Sequence, residues 1–140
     1  MAQAGLRPSE DFLLYMMVEL PVNVLMLDAF IDEGVDGLSI GSNDLTQLTL
    51  GLDRDNQKIA PHFSETNPAV LGLIEQTILT GRGRGIPVGI CGQGPSDSPE
   101  LVRKLVQWGI TSISVTPDCL SQTRQNVAAA ERELVSAPVL

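Results

Sequence analysis

Residues 37–55 read GLSIGSNDLTQLTLGLDRD. Gly37 to Ile40 have the alternating, apolar character of a short strand. A tight Gly41-Ser42 pair follows, then Asn43-Asp44, then a helical turn or two that meets Gly51. A strand that runs through glycine into a helix, with a carboxamide and a carboxylate at the junction, sets the pattern for the rest of the chain.

Upstream, DFLLYMMVELP is a short run of bulky apolar residues closed by Glu19 and Pro21, which predicts a buried strand over Phe12 to Val18. From Val22 to Gly34, the apolar residues Val24, Leu25, Ala29 and Phe30 or Ile31 recur at roughly helical spacing and predict a helix. Downstream, LDRDNQKIAPHFSETNP is polar and aperiodic and reads as a loop over one end of the domain. Asn67 is then suited to cap a helix with Pro68 at its first position, and Val70, Ile74 and Ile78 stand four apart along it. IPVGIC reads as a buried strand ending at Cys91, GQGPSDSPE as turn, and the stretch through Leu101, Leu105 and Trp108 as a helix. TSISV is a strand, and Leu120 to about Val135 a closing helix with a frayed SAPVL tail. About four strand-then-helix units in succession predict an α/β fold with a parallel sheet and right-handed crossovers.

The totals narrow the function. A chain of 140 residues, 43% hydrophobic and 19% charged, is one globular domain at most. Nine Lys and Arg against 17 Asp and Glu give a net charge of -8, which offers no basic stripe to nucleic acid. No window reaches the roughly 18 apolar residues of a membrane span, and MAQAGLRPSEDF lacks the basic and apolar regions of a leader, so the reading is cytoplasmic. Cys91 and Cys119 are too far apart for a zinc pair and too few for a disulfide scaffold.

In a parallel sheet all strand C-termini lie at one end, so Glu19, the Gly41-Ser42-Asn43-Asp44 turn and Cys91-Gly92-Gln93-Gly94 converge on one rim. Two carboxylates there suit Mg²⁺, which takes one or two carboxylates together with substrate oxygens and water. The Gly41-Ser42 turn frees backbone N–H groups at a helix start for an anion. Cys91, between glycines that let a ligand approach the backbone, is placed to give or take a proton. Each residue also has a plainer reading: Asp44 as a helix cap, Glu19 as a solvated loop residue before proline, Cys91 as a small buried hydrophobe. Cys119 is assigned to packing and His62 to the surface, while Arg54 either reaches an anion or balances Asp53 and Asp55.

GLSIGSNDLTQLTLGLDRD and PVGICGQGPSD, with MMVELP upstream and GITSISVTPD downstream, resemble the C-terminal domain of the phosphoenolpyruvate-utilising enzymes, in particular the phosphoenolpyruvate synthase (pyruvate, water dikinase) branch. The resemblance runs from about Gly5 to Gln125 and assigns residues 1–125 to that domain, leaving 126–140 as helix end and tail. It implies a (β/α)₈ TIM barrel that binds pyruvate or phosphoenolpyruvate with Mg²⁺ at its C-terminal face. Glu19 and Asp44 would be the metal ligands, Gly41, Ser42, Asn43 and Asp44 would hold the substrate, and Cys91 would exchange the proton at the substrate methyl carbon. For the whole enzyme it implies conversion of ATP, pyruvate and water to AMP, phosphoenolpyruvate and phosphate through a phosphohistidine.

A complete barrel takes about 250 residues and eight strands, so the expectation here is its C-terminal half. The family's ATP-binding and phosphohistidine domains match nothing in these residues, and its substrate-binding arginines come from the other half of the barrel. ATP would therefore act only through those other parts. Half a barrel is expected to expose a hydrophobic sheet face and two unpaired edges, favouring a homodimer or association with the other half. The alternatives are a relative of pyruvate, phosphate dikinase or of the phosphotransferase system's first enzyme, or a non-catalytic remnant that binds a metabolite or partner protein.

Overall fold

The computed structural model describes Gly5, Arg7, residues 9–53 and residues 62–136. Arg54 and most of the expected C-terminal tail, residues 137–140, lie outside the described residues. Four strands, β1 (Tyr15–Val18), β2 (Gly37–Gly41), β3 (Val88–Cys91) and β4 (Ser112–Ser114), form one sheet in the order β1-β2-β3-β4. Every neighbouring pair is parallel. The helices are α1 (Pro21–Leu25), α2 (Leu27–Asp32), α3 (Ser42–Leu50), α4 (Pro68–Gly83), α5 (Gly94–Asp97), α6 (Pro99–Trp108) and α7 (Leu120–Ser136). The parallel sheet alternating with helices is what the residue pattern predicts, and it is consistent with the half β/α barrel that the resemblance implies.

Among the described residues the hydrophobic core lies on one face of the sheet. Val18, Leu38, Ile40, Val88 and Ile90 point into a core with Val24, Leu27 and Ile31 from the first two helices, Val70, Ile74 and Ile78 from α4, and Leu101 and Leu105 from α6. The four-residue spacing along α4 puts its apolar stripe on the strands. Asn67 starts that helix as expected, its side chain accepting a hydrogen bond from the Ala69 N–H at 2.9 Å. Gly81 lets the helix come down onto β3, since a Cβ at this position would run into Val88 Cγ2. Ser98 caps α6 in the same manner, accepting from the Leu101 N–H.

The structure departs from the sequence reading at several points. The first strand is Tyr15–Val18 rather than Phe12–Val18, and within it only Val18 is buried. Tyr15 and Met17 alternate onto the face that carries no helices, so a run of uniformly apolar residues is buried on one side only. The expected single helix from Val22 to Gly34 is two, interrupted at Met26 (φ -112°, ψ 22°), and Leu27 rather than Leu25 enters the core. GQGPSDSPE contains the short helix α5.

The bare face is also not the hydrophobic surface anticipated. Beside Tyr15 and Met17 it carries Gly37, Ser39 and Gly41 from β2, Gly89 and Cys91 from β3, and Ser112 and Ser114 from β4. Exposed apolar residues also flank the sheet at both edges. Leu13 and Leu14 are exposed just before β1. Beyond β4, a groove of ≈ 600 Å³ runs against α7, lined by Ile113, Val115, Leu120, Val127 and Leu134 among others. Its lining includes none of Glu19, Gly41 to Asp44 or Cys91. No helix among the described residues is long and apolar enough to cross a membrane.

Candidate functional site

The parallel register places the rim residues side by side. Gly41 pairs with Cys91, and Cys91 with Ser114, at the last level of the sheet. Glu19 follows β1 directly and occupies the same level. A Cβ on Gly41 would stand 3.1 Å from Glu19 Cβ and 3.4 Å from its Oε2, so the carboxylate lies over the space this glycine leaves open. The turn that delivers Glu19 is tied down by buried Asn23, whose Oδ1 accepts from the Glu19 N–H at 3.2 Å and the Leu20 N–H at 2.9 Å. Glu19 is therefore half-buried and held against the sheet, rather than a solvated loop residue.

Cys91 is half-buried on the bare face, not packed in the core. Its Sγ is 3.6 Å from Ser39 Oγ, 3.6 Å from the Ile40 carbonyl oxygen and 3.9 Å from Met17 Sδ. Met17 Sδ also comes within 3.3 Å of the Cβ position at Gly41, so thiol, thioether and the Glu19 carboxylate share one continuous patch.

The Gly41 turn opens α3. Gly41 itself is the N-cap and no side chain caps the helix, so Asp44, the third helical residue, is not a capping group. It is exposed, while Asn43 is half-buried. Ser42, Asn43 and Asp44 form the first turn of α3, and a helix start is the end of a helix that favours an anion. Ser42 is different: its side chain is 0% exposed, and its Oγ donates to Glu65 Oε1 at 2.7 Å. The whole residue, backbone included, is closed off from solvent.

Glu65 is the residue that sequence reasoning missed. It is 8% exposed and sits in the turn before α4, which is closed by the Asn67 N–H donating to the Ser64 carbonyl at 3.0 Å. Burial pushes its carboxyl above the ordinary range and the negative charge of Asp97 adds to this, while hydrogen bonds from Ser42 and the Gly94 N–H pull it down. Gly92 and Gly94 serve this carboxylate rather than leaving the backbone open to a ligand. A Cβ on Gly92 would collide with Ser42 Oγ, and one on Gly94 with Glu65 Oε2. The one hint in the sequence is that pair of glycines two residues apart after Cys91.

A carboxyl raised in the fold favours its protonated form. Its contribution to stability is full below the ordinary carboxylate pKa and is lost as pH rises through the raised value. Glu65→Gln, uncharged throughout, is therefore expected to gain in stability relative to the parent chain as pH rises from about 4 to about 7. Urea denaturation at several pH values reads this directly, and a difference that stays flat or shrinks with pH contradicts it.

Among the described residues no group of three or more His, Cys, Asp or Glu side chains forms a ready cage. Glu19 and Asp44 offer two carboxylates, and a hard cation that keeps several waters and ligand oxygens needs no more from the protein. His62 is exposed, and Cys119 lies half-buried in a 3₁₀ turn beside Asp118.

Residues 1–132 match the family described as PEP-utilising enzyme, PEP-binding domain. The phosphoenolpyruvate synthase of Aeropyrum pernix is 50% identical over 137 residues, covering 96% of this chain and 17% of the relative. That of Synechocystis is 48% identical over 96% of this chain and 16% of the relative. That of Pseudomonas aeruginosa is 52% identical over 88% of this chain and 16% of the relative. The chain thus spans about one sixth of the length of these curated relatives. Because the match takes in all four strands, both rim turns and most of α7, the chain belongs to the PEP-utilising enzyme family, in its PEP-binding domain.

Proposed function

We propose that this chain is the Mg²⁺-dependent pyruvate- and phosphoenolpyruvate-binding part of a phosphoenolpyruvate synthase, which works together with ATP-binding, phosphohistidine and further barrel parts. The observation that carries the reading is the shared level of Glu19, Gly41 and Cys91 on the bare sheet face, with the start of α3 directly after Gly41. The exposed apolar residues at both sheet edges suit burial against other strands, from the remainder of such an enzyme or from a second copy.

Glu19 and Asp44 would hold the Mg²⁺, which supplies stabilisation of the negative charge that develops on the substrate's enolate oxygen. The positive end of α3 would favour the substrate's anionic oxygens. Cys91 would move a proton to or from the substrate methyl carbon. Its thiol stands on the face where the substrate would lie, and Ser39 and the Ile40 carbonyl hold it there.

The test grafts this chain onto the remainder of a relative in place of the relative's own C-terminal segment. With Mg²⁺ and pyruvate in heavy water, the methyl protons are expected to exchange, as read by proton NMR. Cys91→Ser should abolish that exchange while Mg²⁺-dependent oxalate binding stays within about threefold, because the thiol is no metal ligand in this account. Exchange that survives the substitution removes Cys91 from the mechanism. A graft that neither exchanges nor binds contradicts the reading as a whole.

A further inference from the structure

Glu65 joins three segments that the sequence keeps apart. It belongs to the turn that leads into α4, its Oε1 accepts the Ser42 hydroxyl proton, and its carboxylate also accepts the Gly94 N–H. Ser42 Oγ lies 3.4 Å from the Cys91 carbonyl oxygen as well, so the turn after β2 and the turn after β3 meet at this one buried carboxylate. The room it occupies exists because residues 92 and 94 have no side chains. α4 holds it in place through Val70, Ile74 and Ile78, all fully buried against the sheet.

We infer that Glu65 is a positioning residue of the rim: it fixes the Gly41–Asp44 turn and the Cys91–Gly94 turn relative to each other, and holds the buried Ser42 hydroxyl between them. It touches no substrate in this account and acts through Ser42 and Gly94. Misplacement of a site by about 1 Å costs on the order of a hundredfold in rate, and outer hydrogen-bond partners of a site are worth about 10–100-fold in binding or activity. A buried tie between the two turns therefore bears directly on the proposed site. The inference rests on the proposed function for its ligand, not for its geometry.

The first test uses the chain without ligand. Amide NMR spectra of the parent, Glu65→Ala and Glu65→Gln are compared. The alanine variant is expected to shift or broaden the signals of both Ser42–Asp44 and Cys91–Gly94 while those of Leu38 and Val88 stay in place. Glutamine keeps an acceptor for the Gly94 N–H and a donor for Ser42 Oγ, and is expected to restore both sets. Perturbation of one turn only, a change across the whole spectrum, or failure of glutamine to restore the pattern overturns the inference. Should Glu65→Ala not fold, Ser42→Ala cuts the same hydrogen bond. An effect that reaches Gly92–Gly94 then supports the tie, and one confined to α3 refutes it.

The second test adds Mg²⁺ and oxalate. Affinity is expected to fall about tenfold or more in Glu65→Ala and to stay within about threefold of the parent in Glu65→Gln. Equal affinity in all three chains contradicts a positioning role. A parent chain that binds no oxalate shows that the rim needs the further barrel parts, and the ligand-free spectra still decide the role of Glu65.

Discussion

Asp44→Ala is expected to lower the affinity for oxalate at fixed Mg²⁺ by about a hundredfold or more. Loss of an outer partner of a metal site already costs about 10–100-fold, and loss of one of two carboxylate ligands should exceed that. The substitution spares the fold, because Asp44 is exposed and caps nothing, while the first turn of α3 keeps its backbone. Titration calorimetry of the variant with and without Mg²⁺ reads the effect, with circular dichroism as the control for folding. Tight Mg²⁺-dependent binding by Asp44→Ala contradicts the assignment of this carboxylate to the metal.

The largest stability effect is expected in the middle of the sheet. Ile90 is 1% exposed and pairs in register with Ile40 on one side and Ile113 on the other. Its side chain belongs to the one apolar layer this fold has, because the opposite sheet face carries glycine, serine and cysteine on β2 to β4. Ile90→Ala should cost about 2–5 kcal/mol, the lost transfer energy plus the cavity that neighbours cannot close. Against a total of about 5–15 kcal/mol for a domain, this is a large fraction. Urea denaturation should show a lower midpoint with an unchanged slope, and a loss below about 1 kcal/mol would show that the layer repacks around the gap.

The strand and helix succession could be read before any coordinates because local signals agree with tertiary packing. In α4 the cap at Asn67, the proline at the first position and the Val70, Ile74, Ile78 stripe all point to one helix, and all three hold in the structure. The rim was legible for a topological reason: parallel strands end at one side, so Glu19, Gly41 and Cys91 had to be neighbours once the strands were placed. The exposure of Tyr15 and Met17 was hidden, since a bulky, largely apolar residue at every position of FLLYMMV carries no period-two signal of which face lacks a covering layer. Glu65 was hidden for a different reason. Its partner Ser42 lies 23 residues away, and a hydrogen bond across that distance leaves no spacing to recognise. The glycines beside Cys91 suggest openings for a ligand, whereas in the structure the space at Gly92 is taken by Ser42. Breakage of the first helical stretch at Met26 has no counterpart in the sequence signals, for neither proline nor glycine stands there.

The central claim is that this rim holds Mg²⁺ together with a planar dicarboxylate that mimics the enolate of pyruvate. The most direct measurement is an amide NMR titration of the chain with Mg²⁺, before and after adding oxalate. The account predicts dispersed spectra in which the signals of Glu19, Gly41 to Asp44 and Cys91 shift on addition of oxalate, only when Mg²⁺ is present, while those of α6 and α7 remain still. Shifts elsewhere, or none at these residues with both additions made, would contradict it.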